Sequence, residues 1–360
     1  MPKKILIMAG GTGGHVFPGL AIAEELKKHS ATLAWLGTPQ GIESRLVPQA
    51  NIPLRLITIS GVRGKGLTQK LASPFKLGQA VFQAIGHLRD FKPDLVIGLG
   101  GFASGPGGIA ARLLNIPLVI HEQNAVAGMT NKVLSRFAKK ILEAFPHTFP
   151  SKLHPLLIGN PVRSQIMTLS PPEERFQGRQ GPLRLLILGG SRGATAINQA
   201  LPKAICLLPE NTIDLWHQTG ESDLSTTQAA YADTKQNARV NAFIDDMAAA
   251  YDWADLVVCR AGALTVSELA AAGVASILIP FPFAVDDHQT KNAHYLVDKG
   301  AATLLPQSTL TAQRLADLLK SLTRDALLQQ AKLAYSLRLP DASKQASSLC
   351  WEIIENANHH

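Results

Sequence analysis

Ile5-Leu-Ile-Met-Ala-Gly-Gly-Thr-Gly-Gly14 is a short apolar run that ends in glycines and opens a segment with helical periodicity. Leu185-Leu-Ile-Leu-Gly-Gly-Ser-Arg-Gly-Ala194 repeats the pattern in the second half of the chain. A parallel strand buried on both faces needs continuous apolar residues and a helix to cover it, so strand, glycine turn and helix in this order open a Rossmann-like unit. Leu95 to Leu99, Pro117 to Ile120, Asp255 to Cys259 and Ser276 to Ile279 are further strands of this kind. Strands alternating with helical patterns predict a parallel α/β architecture, and the repetition predicts two similar halves in tandem. From Gly159 through Pro161 and over Ser170 to Pro182, turn formers and charges without apolar pattern mark a connector. Domains are therefore expected over residues 1–160 and 161–340. After Pro340, Ala346, Leu349, Cys350, Ile353 and Ile354 recur at helical spacing, and this last helix, residues 341–357, is expected to return to the first domain.

Of 360 residues, 46% are apolar and 17% charged, which allows a large core and excludes a disordered chain. The formal charge of +8 implies an anionic partner: nucleic acid, an acidic membrane surface or a phosphorylated substrate. Aromatics are only 6% and no basic run is interleaved with them, so no nucleic-acid partner is expected. Cys206, Cys259 and Cys350 are odd in number and widely spaced, as suits buried thiols in a reducing compartment rather than a zinc or redox site. Ile5 to Met8 is too short for a signal-peptide core, and no apolar run approaches the roughly 20 residues that span a bilayer. The expected location is cytoplasmic, with any membrane contact peripheral.

A strand that ends in glycines and opens a helix presents backbone amides and the positive end of the helix dipole to an anion, and phosphate is the natural guest. Neither loop is a dinucleotide fingerprint, and in the first half no acidic residue ends a second strand at the distance a ribose contact requires. No Gly-Lys-Ser or Gly-Lys-Thr follows, which excludes a phosphate-loop NTPase. The third glycine cluster, Gly98 to Gly108, reads equally as an anion cradle or as close packing of a helix on the sheet. In Arg260-Ala-Gly-Ala-Leu-Thr-Val-Ser-Glu268 a strand turns into a helix predicted over Thr265 to Ala272, with Glu268 about one turn inside. That carboxylate suits a ribose diol, although an acidic residue near a helix start is also favourable by itself. Downstream, Pro280 to Ala293 carries the dense donors and acceptors a sugar needs.

At these residues the sequence resembles the MurG family, transferases that add N-acetylglucosamine to undecaprenyl-pyrophosphoryl-MurNAc-pentapeptide. The resemblance rests on Gly10-Gly-Thr-Gly-Gly-His-Val-Phe-Pro18, Gly98 to Gly108, His121-Glu-Gln-Asn124, Gly159-Asn-Pro-Val-Arg163, Gly189 to Ala194, Arg260 to Glu268 and His288-Gln-Thr-Lys-Asn292. It covers nearly the whole chain. It implies the GT-B fold, two Rossmann-like domains with parallel sheets facing a central cleft, the donor held mainly by the second and the acceptor by the first. By motif, the uracil contact falls on the Ile244 backbone, the ribose carboxylate on Glu268, and the diphosphate amides on Ser191 and on Ala263, Leu264 and Thr265. Arg163 and Arg260 are cations near the donor. Asn124 and Gln289 are assigned to the sugar, with Thr290 able to share the role, and Thr12, Gly13 and Gly14 to the diphosphate and sugar from the first domain.

Transfer from an α-linked donor to a β-linked product implies inversion by one displacement, with one general base. The chain has no Asp-x-Asp triplet, so neither metal nor other cofactor is expected, and amides, a helix dipole and arginine would stabilise the departing UDP. His15 is the first candidate for the base and Glu122 the second. Loop shaping for His15, and a structural strand end for His121 and Glu122, are the alternatives. Within Lys70 to Phe91, Leu71, Phe75, Phe82 and Ile85 form a helical stripe with Lys70, Lys76, Arg89 and Lys92 nearby, and Lys139 and Lys140 stand on another segment. With the resemblance, this stripe is expected to dock on an anionic membrane at the cytoplasmic face; otherwise it is a core face. Cell-wall or division proteins are left open as partners. Other functions in view are a different GT-B enzyme on a UDP-sugar, such as a glycolipid transferase or a UDP-N-acetylglucosamine 2-epimerase, and a nucleotide-binding regulator.

Overall fold

The computed structural model describes residues 2–59, 73–189, 194–232 and 234–357. The chain divides into two units, Met1–Val162 with Asp341–His360, and Arg163–Pro340.

The first unit is built on β1 (Lys4–Met8), β2 (Thr32–Gly37), β3 (Leu54–Leu56), β4 (Leu95–Gly98), β5 (Leu118–Glu122), β6 (Lys140–Glu143) and β7 (Leu156–Leu157). All pair in parallel, in the order β3-β2-β1-β4-β5-β6-β7. Helices α1 (Gly13–Lys28), α2 (Glu43–Gln49), α3 (Ser73–Phe91), α4 (Gly101–Leu113) and α5 (Met129–Leu134) lie between the strands. The unbroken apolar run of β1 has a simple cause: Ile5 and Ile7 enter one core cluster, Leu6 and Met8 another. The carboxy-terminal helix, Ala342–Ala357, adds Ala346, Cys350, Ile353 and Ile354 to the cluster that holds Ile22 and Leu26 of α1. The burial of its two isoleucines contributes roughly 3–6 kcal/mol to that attachment.

Strand order reverses between β1 and β4. Open parallel sheets bind ligands outside the carboxyl ends of the strands at such a reversal. Gly10 to Gly14 follow β1 and Gly100 and Gly101 follow β4, so two of the glycine clusters meet there.

The second unit begins with α6 (Ser164–Met167) and α7 (Pro172–Phe176). Its strands are β8 (Leu183–Leu188), β9 (Ile213–Gln218), β10 (Asn237–Asn241), β11 (Leu256–Cys259), β12 (Ala275–Leu278) and β13 (Thr303–Leu304). They form a parallel sheet in the order β10-β9-β8-β11-β12-β13. Helices α8 (Thr195–Ile205), α9 (Leu224–Tyr231), α10 (Met247–Trp253), α11 (Ala263–Ala272), α12 (His288–Val297), α13 (Ala312–Ser321) and α14 (Arg324–Ser336) complete it. The reversal now lies between β8 and β11, followed by Gly189 and by Arg260 to Gly262 respectively.

Ser170 to Pro182 is not a connector but part of this unit. Arg175 donates to the backbone oxygens of Tyr251 (3.0 Å), Gly273 (2.5 Å) and Ala272, closing the carboxyl end of α11. Burial and the neighbouring Arg179 lower its pKa to about 10. Arg179 pairs with buried Asp255 at 2.6 Å, and Arg324 reaches the other carboxylate oxygen at 3.0 Å. Polar side chains anchor the segment, which is why hydrophobic pattern alone missed it.

Candidate active site

In the first unit, the chain leaves β1 through Gly11 at φ +93°, and α1 starts at Gly13 with Thr12 as an extended N-cap whose side chain makes no capping bond. The amides of Gly13 and Gly14 therefore open a helix with no side-chain acceptor of its own at the cap. His15 stands in the first turn, its Nδ1 3.4 Å from Thr12 Oγ1. Its ring lies against Gly100, where an added Cβ would come within 3.1 Å of His15 Cδ2. A Cβ on Gly101 would meet Gly10 O at 2.3 Å, and one on Gly107 would meet Met8 Sδ at 2.2 Å. Close packing thus accounts for much of the third glycine cluster, and it braces the loop that carries His15.

A residue not singled out in the sequence organises this loop. Glu43 is fully buried. Its Oε2 accepts from Gly11 N (2.9 Å), and its Oε1 accepts from Thr38 N (2.9 Å) and Thr38 Oγ1 (2.8 Å). Side chains at Gly10, Gly37 or Gly41 would collide with its carboxylate or Cγ. The only trace in the sequence is glycines around a carboxylate that α2 brings to the end of β1.

At the end of β5, Glu122 is buried and holds the turn that follows. Its Oε1 accepts from Asn124 N (3.1 Å) and Asn124 Nδ2 (3.3 Å), and its Oε2 accepts from Gly128 N and Asn131 Nδ2 (both 2.9 Å). His121 is buried between Gly159 O (2.9 Å from Nε2) and the Gln123 amide (2.9 Å from Nδ1). Desolvation lowers its pKa, opposed by the Gly159 bond and by the Glu122 charge. A neutral ring that donates from Nε2 and accepts at Nδ1 satisfies both contacts.

In the second unit, α11 starts at Ala263, ahead of the expected Thr265, because extended Gly262 is followed directly by the good helix formers Ala263 and Leu264. The amides of Ala263, Leu264 and Thr265 precede the first intrahelical bond, from Val266 N to Gly262 O. Glu268 consequently lies in the second turn, where the helix dipole contributes little. Its carboxylate is held instead by Tyr251, whose hydroxyl donates to Oε2 at 3.1 Å, with Arg163 Nε 3.9 Å from Oε1. Burial raises its pKa, while Arg163 and Tyr251 work against that rise.

Arg260 donates to Ile279 O, Pro280 O and Gln307 Oε1, with its guanidinium over the Phe281 ring, and burial lowers its pKa. Gln289 Oε1 accepts from Phe281 N at 2.9 Å, and Thr290 Oγ1 donates to Asp287. The segment Ile279 to Phe281 is thus tied to both Arg260 and Gln289. Ile244 N donates to Gln218 Oε1 at 2.9 Å. Ser191 lies outside the described residues.

Each unit therefore carries amide-rich helix starts at the reversal of a parallel sheet, and the second adds a braced carboxylate. The Glycosyltransferase family 28 N-terminal domain matches residues 5–143, and the Glycosyltransferase family 28 C-terminal domain matches residues 184–346. The UDP-N-acetylglucosamine--N-acetylmuramyl-(pentapeptide) pyrophosphoryl-undecaprenol N-acetylglucosamine transferase of Cellvibrio japonicus is 56% identical, covering 97% of this chain and 98% of its own length. The chain belongs to the MurG family. A Marinobacter nauticus relative of the same name is 53% identical over 97% of each chain. The crystal structure of Acinetobacter baumannii MurG is similar with a TM-score of 0.87 and 46% identity, covering 98% of this chain and 100% of that one. MurG-family membership and the two Rossmann-like units bear out the expected GT-B class. Within this MurG-family chain, sequence reasoning passed over Glu43, Asn131, Gln218 and Tyr251. Glu43, Gln218 and Tyr251 act through contacts 17 or more residues away along the chain, and Asn131 through one nine residues away.

Proposed function

We propose that the chain transfers N-acetylglucosamine from UDP-N-acetylglucosamine to the C4 hydroxyl of MurNAc in undecaprenyl-pyrophosphoryl-MurNAc-pentapeptide, a step of peptidoglycan synthesis. The observation that carries this is the identity of more than half to transferases so named, along essentially their full length. The acceptor hydroxyl oxygen attacks C1 of the donor sugar as the C1–O bond to the β-phosphate breaks, and UDP leaves with the bonding pair. The imidazole of His15 takes the hydroxyl proton. The four donors already on the Glu122 carboxylate suit a group that shapes the Asn124 turn, and this favours His15 as the base.

In this reading the second unit holds the donor. The first-turn amides of α11, with Ser191, take the diphosphate, and Glu268 takes the ribose. Ile244 offers its carbonyl to the uracil, since its N–H is engaged by Gln218. Arg163 supplies positive charge, and Arg260 positions the loop before Gln289, which with Asn124 and Thr290 contacts the sugar. Thr12, Gly13 and Gly14 add amides from the first unit. No metal enters the proposed reaction.

The acceptor's lipid requires a membrane, and α3 carries a fitting surface. Phe75 is 81% and Phe82 77% exposed, while Ala80, Ala84 and Leu88 fill the core side. Lys76, Arg89 and Lys92 are exposed as well. Lys70 and Leu71 lie outside the described residues. Among the described residues no helix is long and apolar enough to cross a membrane. The proposal is peripheral attachment to anionic lipid at the cytoplasmic face.

The test is UDP release from UDP-N-acetylglucosamine with the lipid-linked acceptor, with EDTA and with an acceptor-free control. Acceptor-dependent release that survives EDTA is expected. Turnover without acceptor overturns the transferase reading in favour of epimerase or hydrolase chemistry, and loss with EDTA overturns metal independence.

A further inference from the structure

Tyr251 is fully buried in α10 and is held at both ends. Its backbone oxygen accepts from Arg175 Nη1 at 3.0 Å, and its hydroxyl donates to Glu268 Oε2 at 3.1 Å. A buried tyrosine needs a partner for its O–H, and a backbone carbonyl would serve. Here the partner is the carboxylate in the second turn of α11. We propose that Tyr251 is a positioning residue for nucleotide binding: its hydroxyl fixes Oε2 of Glu268 and so presents Oε1, on the side of Arg163, to the ribose hydroxyls. This rests on the reading of Glu268 as the ribose ligand.

The charged and titratable groups around Glu268 come from each neighbouring element: Tyr251 from α10, Arg163 from the start of α6 and buried Cys259 from the end of β11. Burial and the Glu268 charge push the Tyr251 hydroxyl well above its ordinary range, so it stays a donor. Burial also raises Cys259, which remains a neutral thiol. Arg163 at 3.9 Å is a loose ion pair, so Tyr251 makes the one short bond recorded on this carboxylate among the described residues. Without that hydroxyl, burial acts on Glu268 with only Arg163 opposing it. The carboxylate then protonates more readily and loses its fixed orientation.

The test measures binding of UDP and of 2′,3′-dideoxy-UDP to the full chain by calorimetry, in the wild type, Tyr251→Phe and Glu268→Gln. The two nucleotides share the same phosphates and base, so their affinity ratio isolates the ribose contact. Tyr251→Phe is expected to weaken UDP about tenfold and leave the dideoxy nucleotide unchanged, with the loss growing as pH falls. Equal losses for both nucleotides, or no loss, in a Tyr251→Phe protein overturn the proposal when Glu268→Gln abolishes the preference for UDP. If Glu268→Gln keeps the full preference, the ribose reading itself fails and the proposal with it.

Discussion

Replacing Glu122 by glutamine separates the two candidates for the base. The carboxylate accepts two donors on each oxygen, from Asn124 N and Nδ2 on one and from Gly128 N and Asn131 Nδ2 on the other. Glutamine keeps one oxygen and turns an NH2 toward two donors whichever way it is oriented. Two hydrogen bonds to a charged acceptor are lost, at roughly 1.5 kcal/mol each and about 3 kcal/mol together. For a unit of this size the loss corresponds to a melting temperature lower by about 6–12 °C. Thermal unfolding of the full chain measures this, and steady-state kinetics across pH measures the chemistry. The expected result is a lower melting temperature and a raised KM, with the acid limb of the kcat profile retained because the His15 ring is untouched. His15→Ala should do the reverse, leaving the melting temperature nearly unchanged while kcat falls by roughly 100-fold or more. The reasoning is refuted if Glu122→Gln melts like the wild type yet loses about 100-fold in kcat together with the acid limb.

Burial between Tyr231 and Asn198 lowers the pKa of His217 to about 3, so between about pH 6.5 and pH 3 the unfolded chain takes up a proton that the native chain does not. Stability contributed by this neutral ring is complete above about pH 6.5 and falls as pH drops, by about 2 kcal/mol at pH 5. His217→Gln should flatten the decline in melting temperature between pH 7 and pH 5, and an equally steep decline would refute the assignment. Asp255→Asn should destabilise the second unit by about 3–5 kcal/mol in denaturant titration, because it leaves Arg179 and Arg324 without their buried partner; a loss below about 0.5 kcal/mol would contradict that. Phe75→Ser with Phe82→Ser, and separately Lys76→Glu, should each reduce sedimentation with phosphatidylglycerol vesicles, and unchanged binding by both would remove α3 as the docking surface.

Much of the site was legible because its parts are local. The glycine turn after β1 and the start of α11 are contiguous stretches whose strand, turn and helix propensities agree, and the expectation of anion binding there rests on backbone amides that need no side chain to place them. His15 was visible in the first helical turn after one strand, and Glu268 inside the helix that follows another. The identity of the sugar donor and lipid-linked acceptor came from the resemblance and not from these patterns.

Pattern by itself determined the α/β class, the tandem halves and the places where a strand ends in glycines and opens a helix, since periodicity and glycine placement are properties of neighbouring residues. Tertiary structure decided the rest. Whether Glu122 is available or saturated depends on Asn131 and on a turn it closes on itself. Whether Glu268 leans on a helix dipole or on a tyrosine depends on where α11 begins and on Tyr251, which stands on another helix. Glu43 reaches Gly11 only because β2 lies beside β1, and Phe75 and Phe82 are exposed only because Ala80, Ala84 and Leu88 take the core side of α3. Glu43 with Gly11 and Tyr251 with Glu268 are contacts between residues of different elements, and even the nearer partners of Glu122 follow from a turn that no periodicity announces.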